Sequence, residues 1–176
     1  AHRRARGRVP HPRPRAPGRA AARRRRRRSR HAPHAARAEA AVTVFAAGDI
    51  AQCDNEGASR TARLLAGHTG PILALGDIAY PRGSSEEFRR CFDPVWGSFK
   101  ARIVPVPGNH EYGTPGAAGY FDYFGAAAGQ PGAGWHSRII GEWRIIGLNS
   151  NLEGAAAAAQ LRWLDAELAA NRQPCT

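Results

Sequence analysis

The chain has 176 residues and a formal net charge of +12, and that charge sits almost entirely at one end. Residues 1–40 hold 15 Arg against a single acid, Glu39, whereas residues 41–176 hold 11 Lys and Arg against 13 acids. These numbers exclude a uniformly basic globular domain and a string of large domains, and no apolar run is long enough to cross a membrane.

Residues 1–40 are rich in Arg, Pro and Ala and nearly free of large apolar side chains, so they cannot bury a core and are expected to be disordered. Six consecutive Arg at 23–28 would contact the phosphates of a nucleic acid or other polyanion without sequence specificity, and no interleaved aromatic residue is there to stack on bases. Ala38 and Ala40 have the spacing of a signal-peptidase site, but the segment before them lacks the apolar centre that an export signal needs. That leaves residues 41–176 as one domain of ordinary size.

Three short apolar runs, 42–49, 70–77 and 102–109, read as buried strands, each ended by Gly and a polar residue. Between the first two, residues 58–68 have helical apolar spacing and a stop at Gly67. Between the second and third, Ser84 and Glu87 stand in capping-box spacing at the start of another helix. The pattern predicts an α/β fold with a parallel βαβαβ core and right-handed crossovers. Residues 134–150 then give a hairpin about Gly141-Glu142, and 155–172 an Ala-rich amphipathic helix with Leu161, Leu164 and Leu168 on one stripe. Cys53, Cys91 and Cys175 fit no metal-site spacing and leave room for one disulfide with an odd thiol over.

In parallel α/β sheets, functional groups gather beyond the carboxyl ends of the strands. The three strands end in Gly48-Asp49, Gly76-Asp77 and Gly108-Asn109, so parallel pairing would bring Asp49, Asp77 and Asn109 to one edge, beside Tyr80 and His110. Such a set of oxygen donors suits hard or borderline cations. Taken singly, each residue has a plainer reading: a Gly-Asp pair as a turn, Tyr80 as a packed aromatic, His110 as a turn cap, Glu111 as a solvated acid. The repetition of one device at three successive strand ends is what argues for a site.

"GDIA", "GDIAY" and "GNHE" in this order resemble the motifs of the calcineurin-like metallophosphoesterases, and most closely those of the purple acid phosphatase branch. The resemblance runs over nearly all of residues 42–176. It implies the first half of the metallophosphatase α/β/β/α sandwich and hydrolysis of a small phosphorylated substrate by hydroxide activated between two metal ions. By resemblance Asp49 binds the first metal, Asp77 bridges both, Tyr80 binds the first and Asn109 the second. His110 is by resemblance the catalytic residue beside the phosphate, stabilising its charge or helping the leaving group, and Glu111 has no assigned role beyond supporting the ligands from behind. Most of the superfamily carries a His ligand where this chain has Ala51, and Tyr80 stands where the purple acid phosphatases place a compensating phenol. A phenolate favours ferric iron, so the resemblance implies Fe in the first position and Zn, Mn or Fe in the second.

The family also uses three further histidines beyond the last helix, and the only histidines of the domain are His68, His110 and His136. His68 reads as a solvated turn residue and His136 as a structural strand residue. The chain is therefore expected to carry an amino-terminal part of such a domain, with an apolar sheet face left uncovered. A non-catalytic metal- or phosphate-binding remnant and polyanion binding through residues 1–40 are the competing functions. The resemblance favours a secreted or periplasmic protein, whereas the missing apolar signal core argues the other way.

Overall fold

The computed structural model of the chain describes residues 41–176. The Arg-rich segment, and the polyanion contact expected of it, lie outside them. Among the described residues no helix is long and apolar enough to cross a membrane.

The domain is mixed α/β. Strands β1 (Phe45–Ala47), β2 (Ile72–Leu75) and β3 (Ile103–Val106) form a sheet in the order β1-β2-β3, both pairings parallel. Each strand is shorter than its apolar run. Asp49 and Asp77 adopt φ of 51° and 50°, which turns the chain out of the ladder. Helix α1 (Gly57–Leu65) crosses from β1 to β2, with Ala58, Ala62 and Leu65 buried.

The connection from β2 to β3 begins at α2 (Ser85–Glu87). The Ser84 hydroxyl accepts from Glu87 N–H at 3.2 Å while the Glu87 carboxylate accepts from Ser84 N–H at 2.8 Å, the reciprocal cap that the spacing predicts. It continues through a π turn, Phe88–Phe92, then α3 (Asp93–Trp96) and a 3-10 stretch, Gly97–Arg102. The π turn has no signature in the sequence pattern. It places Phe88, Cys91 and Phe92 inward together, and Cys91 is disulfide-bonded to Cys53 in the loop after β1. Cys175 is free.

The core lies on one face of the sheet. Ile72, Ala74 and Ile103 pack there against Phe88, Phe92, Trp96, Phe99 and, from α4 (Ala118–Phe124), Tyr120 and Phe124. The other face carries Leu73, Leu75, Val104 and Val106, which with Ile145, Ile146 and Leu148 line an apolar hollow of about 180 Å³. Leu75 remains 59 % exposed while Leu73, Val104 and Val106 are half-buried, so this second face is only partly covered.

Strands β4 (His136–Ile140) and β5 (Trp143–Gly147) form the expected antiparallel hairpin about Gly141-Glu142. His136 is buried, its Nε2–H donating to Pro105 O at 2.6 Å, and its Nδ1 has no partner among the described residues. Burial, with the nearby Arg138 charge, lowers its pKa below the ordinary 6.5, against a smaller opposing pull from Pro105. The unfolded chain therefore takes up a proton more readily than the folded one. The stability that His136 contributes is fully present above 6.5 and is lost as pH falls from there through the folded value. Denaturant midpoints measured on both sides of 6.5 should fall more steeply on the acid side for the wild type than for His136→Gln.

Helix α5 (Gly154–Ala170) forms where predicted, but the leucine stripe is not its packed face. Leu161 and Leu168 are exposed, and Gln160 is the buried residue. The Gln160 amide accepts from Asn149 N–H at 2.8 Å and donates to Asn149 O at 3.1 Å. Two turns on, Glu167 pairs with Arg144 and accepts from the Ser137 hydroxyl. Trp163, packed on Trp135, and Leu164 are half-buried, so polar anchors and these two apolar side chains together set the helix orientation.

Candidate metal centre

The loops that follow β1 and β2 keep the register of the sheet after the strands end. Ile50 N–H donates to Asp77 O at 2.9 Å, Ala51 N–H to Ile78 O at 3.1 Å, and Tyr80 N–H to Ala51 O at 2.8 Å. Ile50, Ala51, Ile78 and Ala79 are buried, which anchors both loops and sets Asp49 beside Asp77. Ala51 is fully buried and occupied with this pairing.

The Tyr80 hydroxyl donates to Asp49 Oδ1 and also lies 3.4 Å from Asp77 Oδ2. Desolvation, then the bond to Asp49 and the charge of Asp77, push the phenol pKa well above its ordinary value. The His110 ring packs on Tyr80 with centroids 4.2 Å apart. Its Nδ1 is 2.7 Å from Pro81 O. A carbonyl only accepts, so Nδ1 carries the proton and Nε2 is the nitrogen left free. The His110 backbone N–H donates to Asp77 Oδ1 at 3.0 Å. Asn109 is exposed in the loop between Gly108 and His110. A cleft of about 290 Å³ opens beside Asp49 and Tyr80, lined also by Gln52, Asn55 and Thr61.

The structure therefore gathers Asp49, Asp77 and His110 around Tyr80, with His110 also bonded to Asp77, and leaves Asn109 on the adjoining loop. Among the described residues no three His, Cys, Asp or Glu side chains are grouped to hold a metal ion. The donors that converge are two carboxylates and a phenol, an all-oxygen set of the kind hard cations take. His68 is exposed and packs on Phe45, at the start of β1, and His136 is committed to Pro105.

Glu111, to which the resemblance assigns no role beyond support, is the residue whose place differs most from its plain reading. It is not a solvated acid but is fully buried, and it accepts from the backbone N–H groups of Asp77, Ile78, Ala79 and Gly108. Its signal was the backbone itself. The N–H groups of "GDIA" after β2 need acceptors once the ladder ends, and an acid in the next strand's loop can supply them. Asn149, also buried, was likewise missed; its side-chain amide donates to Tyr112 O–H at 2.7 Å and ties the loop after β5 to the His110 loop.

No family model matches the chain and no curated protein matches it, so the site stands on its own geometry.

Proposed function

We propose that the domain is a metal-dependent phosphoric monoester hydrolase, its fold the first half of a metallophosphatase-like sandwich. Asp49, Asp77, Tyr80 and Asn109 would be the metal ligands, with Fe in the first position and Zn, Mn or Fe in the second. The observation that carries the reading is the meeting of two strand-end carboxylates on one phenol, with a histidine packed against it.

A bound metal pair would supply a water-derived nucleophile near neutral pH and offset charge on the phosphoryl oxygens. The residues of the chain do the rest. Asp77 holds the His110 loop through its Oδ1 and faces Tyr80 with Oδ2. Pro81 O fixes the His110 ring, so that Nε2 is the atom free to meet a phosphoryl or leaving-group oxygen. The cleft past Asp49 offers the amides of Gln52 and Asn55 to the organic part of the ester.

A second reading is a metal- or phosphate-binding domain without turnover, built on the same carboxylates and phenol. One preparation separates the two. Ferric loading should give a visible phenolate-to-iron absorption that Tyr80→Phe abolishes, and phosphomonoester turnover with added Zn or Mn should vanish in Asp77→Ala. Turnover that survives Asp77→Ala sinks the hydrolase reading, and metal uptake with no turnover supports the second one.

A further inference from the structure

We infer that Glu111 is the positioning residue of this centre, its buried carboxylate locking the loop that carries Asp77 and Tyr80 to the loop that carries Asn109 and His110. The inference rests on the metal-centre reading for its effect on metals, but the lock itself is visible without one.

The two carboxylate oxygens divide the work. Oε2 accepts from Asp77 N–H at 2.9 Å and Gly108 N–H at 2.7 Å, which belong to the ends of two different strands. Oε1 accepts from Ile78 N–H at 2.8 Å and Ala79 N–H at 3.1 Å. A carboxylate has about four lone-pair positions, so none remains for a cation or a substrate. Glu111 is therefore not a ligand, and it acts through the residues it holds. Those are close to every candidate except Asp49: Asp77 directly, Tyr80 next to Ala79, Asn109 next to Gly108, and His110 next to Glu111 itself. Gly83 closes the third side, since a Cβ there would stand 2.5 Å from Glu111 Cα.

The amide of a Gln would not replace this arrangement. Either orientation turns an NH2 group toward two N–H donors, so one pair of bonds is lost and the donors repel. The bond from His110 N–H to Asp77 Oδ1 does not involve Glu111, yet it spans the two loops that Glu111 joins. It is the reporter of positioning.

The test uses the full chain as wild type, Glu111→Gln and Arg144→Ala, the last a remote control that breaks the partly buried pair with Glu167. Amide hydrogen exchange on metal-free protein should show Asp77, Ile78, Ala79 and Gly108 protected in the wild type. In Glu111→Gln the His110 amide should lose protection while the hairpin amides keep theirs; in Arg144→Ala the His110 amide should stay protected. Calorimetric titration with Mn2+ and with Zn2+ should show affinity weakened roughly tenfold to a hundredfold in Glu111→Gln and unchanged in Arg144→Ala. A folded Glu111→Gln with wild-type His110 protection and wild-type metal affinity overturns the inference, as does rapid exchange of the four amides in the wild type. Should Glu111→Gln fail to fold, Glu111→Asp, which keeps the charge but shortens the reach, is read by the same two measurements. A wild type that takes up neither metal refutes the metal centre, and the exchange data then decide the role of Glu111 alone.

Discussion

Gly108→Ala is expected to destabilise the domain by about 3 kcal/mol, the upper end of what forcing an extra methyl into a packed site costs. A Cβ at this position would lie 2.1 Å from Asp77 Oδ1 and 2.4 Å from Asp77 N, and neither atom can retreat freely. The carboxylate is held by His110 N–H, and the backbone nitrogen is held by Glu111. Gly76 adds to the crowding, because a Cβ there would meet Gly108 Cα at 2.8 Å. The glycines that close β2 and β3 are thus a matched pair that lets two strand-end loops touch backbone to backbone. Gly67→Ala is the comparison: a Cβ there meets nothing within 4 Å, and the variant should gain about 0.4–1 kcal/mol through the unfolded chain. Urea denaturation of the two variants beside the wild type reads both effects, and a stable Gly108→Ala would mean that the loops are not in contact.

Trp96→Ala should cost about 3–5 kcal/mol, the range for deleting a large buried aromatic side chain. Trp96 is fully buried, with Phe92 and Phe99 at centroid distances of 5.9 and 5.8 Å. Its indole N–H also donates to Ala58 O at 3.0 Å, which binds α1 to α3 across the core. The substitution removes the packing and leaves that carbonyl without its donor. Trp143, half exposed in the hairpin, should by contrast change stability by no more than about 0.5 kcal/mol on replacement by Ala. Thermal unfolding followed by far-UV circular dichroism distinguishes the two tryptophans.

What could be read from the residues is uneven for physical reasons. The parallel order of β1, β2 and β3 follows from apolar runs separated by crossover-length segments, and the Ser84–Glu87 cap follows from two residues whose chemistry is local. Asp49, Asp77 and Tyr80 meet because strand ends in a parallel sheet share an edge, which is a rule about topology. Asn109 shares the edge but not the contact, since its loop is pulled inward at Gly108 and Glu111 and leaves its side chain outside. The orientation of α5 was hidden because an Ala-rich helix has little apolar contrast. Its packed face is chosen in part by Gln160 and Glu167, whose partners lie on the hairpin and after it. The role of Glu111 was hidden for the same reason: its four donors are backbone groups, one of them three residues away and the others more than thirty. Long-range polar bonds of this kind leave no period in a sequence.

The left-handed backbone at Asp49 and Asp77 bears on how such a domain can change over generations. Asn tolerates that conformation about as well as Asp and has nearly its shape, and one nucleotide separates their codons. Most other side chains would strain the turn and be removed as misfolded protein. The accessible mutational path at both positions is therefore one that silences charge while sparing the fold, so a lineage could lose these two carboxylates long before it lost structure.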